Sequence, residues 1–283
     1  MNAVVEVSRR DPGRAQTALP MQEPPALVTA RPLFLTRQGG IAVAHDGPAL
    51  IVRAGRRTPM RYPFARLSRI VSNLAVDWQA AALTACIRAG VPVVFVERDG
   101  KVAGVVQPMA RSASNLNRLI DEWLAESDWR DTYENWLRAE RMRIFSQWAR
   151  DLVEAGRPLD GREHTELSRR YVHANKASSP LGEEHGLYRA ALLALVSEQV
   201  RKAGLQPRYP GFGGTTLDLA DDLCRLLELA LALELHGLGS GANLGTPVML
   251  RVLHTFGARL MHLCGGVLGR LYRRVLDEVE QWR

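Results

Sequence analysis

Lysine, cysteine and long apolar runs are all scarce in this chain of 283 residues. Only Lys101, Lys176 and Lys202 are lysines, so the formal net charge of +7 rests on arginine. Arginine forks match phosphate geometry, which makes nucleic acid a natural partner; a general preference for arginine over lysine is the competing explanation. The three cysteines, Cys86, Cys224 and Cys264, are widely spaced in apolar sequence, and no Cys-x-x-Cys pair occurs. Neither a disulfide framework nor a structural zinc site is thereby indicated, and buried thiols in a reducing compartment are expected. No run reaches the length of a membrane span: Leu226 to Leu235 comes nearest, and Glu228 and Glu234 interrupt it. The N-terminus has no apolar core of the signal-peptide kind, so the expected location is the cytoplasm. The glycine-rich segment Gly237 to Gly245 lacks the Gly-Lys-Ser/Thr order of a phosphate loop.

What is present is a hydrophobic fraction of 46%, ample for packed cores, in a length that fits one large or two modest domains. Residues 1–30 are rich in Pro, Ala and Arg without a period, and read as a disordered leader. Residues 31–107 have β texture: short apolar runs separated by turn signals such as His45-Asp46-Gly47-Pro48 and Asp99-Gly100. One helix interrupts them, capped by Asp77 and stopped by Gly90, before the buried run Val91-Pro92-Val93-Val94-Phe95-Val96. This half is a small β domain that needs another surface to cover it. Its arginines Arg53, Arg56, Arg57, Arg61 and Arg66 are expected on solvated edges.

From residue 108 to 283 the period is helical, giving an α+β chain overall. A long amphipathic segment runs from Ser114 or Asn115 to Glu154. Trp129, Tyr133 and Trp136, then Phe145 and Trp148, form a stripe that reads as core rather than as a base-stacking platform. A helix begins near Arg162-Glu163, and another runs from Gly182 to Ala203, closed by Gly204. Then Gly211-Phe212-Gly213-Gly214 leads into a helix with Asp218, Asp221 and Asp222 on one face. Clustered carboxylates need a balancing cation or arginine. Two readings remain: oxygen ligands for a hard divalent metal, or acids placed at a helix N-terminus with Thr216 or Asp218 as cap.

A small β domain followed by a larger helical one resembles the CRISPR spacer-acquisition integrase and endonuclease family. The resemblance spans about Leu33 to Leu235. It rests on Leu33-Phe34-Leu35, the stretch Tyr62 to Val71, Val91-Pro92-Val93-Val94-Phe95, Ala203-Gly204-Leu205-Gln206-Pro207, Gly211-Phe212 and Asp218-Leu219-Ala220-Asp221. It implies one divalent metal, Mg2+ or Mn2+, held by a glutamate, a histidine and an acid. Glu163, eight positions before Tyr171, matches the glutamate; Asp221 matches the acid, with Asp218 as an accessory catalytic neighbour. Gly213-Gly214 stands where the histidine is expected, and His164 and His185 are the candidates to replace it. The implied reaction is metal-assisted strand transfer, in which a DNA 3′-hydroxyl attacks a repeat phosphodiester and joins a spacer. Implied partners are double-stranded DNA, a second copy of the chain in a homodimer, and a small ferredoxin-like subunit. Arg138, Arg141, Arg169 and Arg170 are the expected DNA contacts. The missing histidine motivates an alternative, a family member that binds DNA and dimerises but does no chemistry. A helical DNA-binding or scaffold protein with purely structural acids is the third reading.

Overall fold

In the computed structural model, residues 30–36, 40–107, 115–173, 186–237 and 246–281 are described, with residues 246–250 described by their helical backbone alone. The expected leader, His185 and the glycine-rich segment after Gly237 lie outside the described residues.

Alternation of apolar residues builds two four-stranded sheets. The first contains β1 (Arg31–Leu35), β5 (Leu67–Asn73), β7 (Val93–Val96) and β8 (Val102–Val106) in that order; β1, β5 and β7 are parallel, and β8 closes the β7 hairpin antiparallel. The second runs β4 (Met60–Pro63), β3 (Ala49–Ala54), β2 (Ile41–Asp46) and β6 (Asp77–Trp78). Consecutive residues of the central strands serve opposite faces. Ile70 and Val93 join a core with Val43, Val52 and helix α1 (Ala80–Ala89). Their neighbours Val71 and Val94 point the other way, onto Ala190, Ala191 and Ala194. Burial on both faces favours a continuous apolar strand, which explains the run Val93-Val94-Phe95-Val96 of β7.

The covering surface that the β half requires is helix α5 (Gly186–Lys202). Its alanines allow close approach, and a Cβ at Gly186 would sit 2.4 Å from the Gly100 carbonyl oxygen. Arg69 crosses the same seam to Glu198 at 2.9 Å. On its other side α5 packs against α6 (Leu219–Gly237). The remaining helices are α2 (Asn115–Leu124), α3 (Trp129–Glu154), α4 (Gly161–Tyr171) and α7 (Thr246–Gln281). Their shared core includes the whole aromatic stripe: Trp129, Tyr133, Trp136, Phe145 and Trp148 are all buried. The three thiols are free and buried as expected.

Two local expectations are corrected. The helix expected from residue 114 or 115 to 154 breaks between Leu124 and Trp129. The break folds Trp123 back onto Trp129 and Tyr133, with ring centroids 6.4 and 6.1 Å apart, which a continuous helix would not allow. Asp77 does not cap α1; it pairs with Ala42 in β6, and Gln79 precedes the helix. Gly90 does end α1, in the left-handed conformation.

Candidate functional site: an acidic helix closed by arginine

The turn before α6 is set by two short strands. Thr216 and Leu217 (β10) pair antiparallel with Tyr209 and Pro210 (β9), and the Gly211 N–H donates to the Thr215 carbonyl at 2.8 Å. Between them Gly213 and Gly214 have φ of 66° and 77°. That left-handed backbone suits glycine and strains other residues. A histidine at position 214 would have open space around its Cβ but an unfavourable backbone.

Asp218 lies just before α6. Its Oδ1 accepts from the Asp221 N–H at 3.2 Å, an N-terminal capping contact. Its Oδ2 accepts from Arg208 Nε at 3.0 Å and Nη2 at 2.7 Å. The helix-cap reading therefore describes Asp218, while Thr216 is part of the β10 pairing.

Asp221 is held from two sides. Arg225, one turn along α6, donates through Nε to Oδ2 at 2.7 Å. Arg189, reaching across from α5, donates through Nη2 to Oδ1. The same guanidinium donates through Nη1 to Glu228 Oε1 at 2.6 Å. Glu228 has no solvent exposure. Asp221, Arg225 and Glu228 fall at i, i+4 and i+7 on one face, and Arg189 bridges the two acids. Burial works against charge on Arg189, but Glu228 and Asp221 more than offset it, so its pKa lies above the usual arginine value. Burial pushes the adjacent Cys224 thiol well above its ordinary range, and Glu228 adds to the effect. The thiol is thus a protonated packing group rather than a nucleophile.

Asp222 faces a different wall. Its Oδ2 accepts from the Tyr133 hydroxyl at 3.1 Å. Burial raises the Tyr133 pKa well above normal, and Asp222 raises it further, so the phenol stays a donor. Arg141, half-buried nearby, has its pKa lowered by burial, against the attraction of Asp222 and with help from Arg225 and Arg138.

Glu163 is elsewhere. It lies in the first turn of α4, where Asp160 Oδ1 accepts its N–H at 2.7 Å. Its half-exposed carboxylate is 3.9 Å from His236 Nε2, at the far end of α6. His236 follows Asp221 by fifteen residues of continuous helix, a rise of about 22 Å. As the side chains lie, the Glu163 and Asp221 carboxylates are more than about 10 Å apart, whereas shared ligation at about 2.1 Å needs their oxygens nearly in contact. His164, one of the proposed substitutes, packs edge-on against Phe145 at 5.1 Å beside Glu163, not beside Asp221.

The residues thus do not fit the implied divalent ion. Glu163 and Asp221 do not meet, both Asp221 oxygens accept from guanidinium groups, and glycine occupies the expected histidine position. Among the described residues, no three His, Cys, Asp or Glu side chains gather as a metal site would require. Of the expected DNA contacts, Arg138, Arg169 and Arg170 are exposed, and Arg170 also lies over the Tyr171 ring at 5.2 Å.

Sequence reading missed Arg189 and Glu228. The Asp221/Arg225/Glu228 spacing was available as a signal for an internally balanced helix face. Nothing local pointed to Arg189, because its partners are 32 and 39 residues away on another helix.

The family CRISPR associated protein Cas1 matches residues 33–134. No curated protein matches the chain. Among solved structures, a Cas1 protein from Thermotoga maritima aligns with a TM-score of 0.63 at 14% identity, over 87% of this chain and 96% of its own. A casposase bound to integration product aligns at 0.56 and 15% identity, covering 88% and 91%. TtCas1 in a DNA complex aligns at 0.51 and 14% identity, covering 89% and 91%. Such identities speak for the fold alone. The family match over residues 33–134, set within a Cas1 fold that extends along most of the chain, bears out the resemblance to the CRISPR spacer-acquisition integrase family.

Proposed function

We propose that this protein is a DNA-binding, dimerising component of CRISPR spacer acquisition that has the integrase fold but not the metal-assisted strand transfer. The observation that carries the reading is the closure of Asp221 by Arg189 and Arg225, with Glu163 at the opposite end of α6. Metal-assisted transesterification needs acids that converge on one ion beside the phosphate. Here the acids are spent on tying helices together.

Binding to double-stranded DNA is supported by the arginine excess and by the exposed Arg138, Arg169 and Arg170. These guanidinium groups would contact phosphate oxygens and would read no sequence. A structural neighbour with this fold is a TtCas1–DNA complex. Pairing with a second copy agrees with exposed apolar residues on the β half, Met60 at 50% and Leu74 at 55%. A ferredoxin-like subunit and a cytoplasmic location remain part of the proposal. Among the described residues no helix is long and apolar enough to cross a membrane.

An active integrase is the second reading. It is favoured by the Glu163-to-Tyr171 spacing, by Glu163 facing solvent, and by a structural neighbour that is a casposase bound to integration product. One set of measurements separates the two. Fluorescence anisotropy on a DNA duplex is expected to show affinity that falls steeply with salt and does not change when EDTA replaces Mg2+. Arg169→Ala and Arg170→Ala should each lower the salt slope by about one. In parallel, strand transfer with Mn2+ should yield no product. A Mn2+-dependent product that disappears in Glu163→Ala and in Asp221→Ala would establish the integrase instead.

A further inference from the structure

We infer that Arg189 is the built-in cation of this site: its guanidinium, delivered from α5, takes the place between Asp221 and Glu228 that a divalent ion would need, and keeps the site closed to metal. The inference deepens the reading above by naming the residue responsible. It rests on geometry internal to the protein, so its test requires no DNA.

Three observations support it. One guanidinium touches both acids, through Nη2 to Asp221 and through Nη1 to Glu228 at 2.6 Å. Its planar fork spans two carboxylates as a bridging ion does, with directional hydrogen bonds in place of coordination. The charges also balance: Asp221 and Glu228 carry two negative charges, and Arg189 and Arg225 return two positive ones. A divalent ion entering this group would face two fixed cations and would have to displace hydrogen bonds already made to both Asp221 oxygens. Finally, the bridge is anchored. Arg189 sits one turn into α5, three residues after Gly186, which meets the Gly100 carbonyl, and it is followed by Ala190 and Ala191, which pack on the sheet. Its backbone therefore cannot withdraw without opening the seam between the helices and the sheet. Arg225 donates to Asp221 from within α6 itself, whereas Arg189 joins Asp221 and Glu228 from α5, so Arg189 is the residue to test.

The test is Mn2+ titration of the full chain, followed by the electron paramagnetic resonance signal of free Mn2+. Wild-type protein should bind no Mn2+ at this site, so that its titration is the same as that of Asp221→Asn. Arg189→Gln removes the charge but leaves an amide donor for the buried Glu228, and it should gain a Mn2+ site that neither wild type nor Asp221→Asn shows. Arg189→Lys retains a cation and should stay closed. Wild-type binding that Asp221→Asn abolishes would overturn the inference. So would an Arg189→Gln protein, folded by circular dichroism, that binds Mn2+ no better than wild type. If Arg189→Gln does not fold, Arg189→Met, which keeps the length of the side chain without its charge, is titrated in its place and held to the same outcome.

Discussion

Arg189→Ala should lower the unfolding free energy by about 3–5 kcal/mol, the cost of breaking a buried ion pair. Glu228 has no solvent exposure, so losing this hydrogen bond costs more than it would at the surface. Asp221 is 35% exposed and keeps Arg225, so most of the loss is assigned to Glu228. The double variant Arg189→Ala/Glu228→Gln also removes the buried charge and should recover at least half of the loss. Urea unfolding of both variants measures this, with an unchanged denaturant slope showing that stability alone has moved. An Arg189→Ala protein within about 0.5 kcal/mol of wild type would mean that the bridge between α5 and α6 contributes little.

Arg270→Ala is expected to have the next largest effect, about 3 kcal/mol, by the same mechanism at a second place. Glu140 of α3 is 1% exposed and accepts from Arg270 of α7 through Nε at 2.9 Å and Nη2 at 2.8 Å. This is a fork-to-fork pair, the stronger arrangement of a guanidinium on a carboxylate. Arg143 also reaches Glu140 but is half exposed, which places the expected loss near the lower end of the range for a broken buried pair. Arg270→Lys should not rescue it, because an ammonium cannot make the paired contact. Hydrogen exchange adds a second readout: α7 amides should lose protection in Arg270→Ala, while those of β5 and β7 keep theirs.

These two ion pairs show where sequence reading succeeds and where it stops. The β half was legible because its signals are local: turn residues such as Asp99-Gly100, alternation within β2 and β3, and the apolar run of β7. The aromatic stripe of α3 was legible for the same reason, since residues at helical spacing share a face. The break before Trp129 was not. It depends on Trp123 finding Trp129 and Tyr133, a preference of packing that outweighs helical continuity. Asp77 had a good capping side chain, yet pairing with Ala42 decided its place.

The candidate site divides in the same way. The acids at 218, 221 and 222 were correctly seen to gather at a helix start, and both the cap and the demand for a balancing charge are present. The source of that charge was out of reach, because Arg189 is far from Asp221 in sequence and looks like any surface arginine in α5. The meeting of Glu163 with Asp221 was an expectation of resemblance, resting on the spacing to Tyr171. Spacing fixes position along α4 but says nothing about which end of α6 that helix meets. In the fold, Glu163 meets His236 at the distal end.

The most direct test of the whole account is anomalous diffraction from crystals of the full chain grown with manganese. The account predicts no anomalous peak at Asp221, with the Arg189 guanidinium still bridging Asp221 and Glu228. A peak about 2.1 Å from an Asp221 oxygen, with Arg189 displaced and Glu163 drawn in as a second ligand, would contradict it.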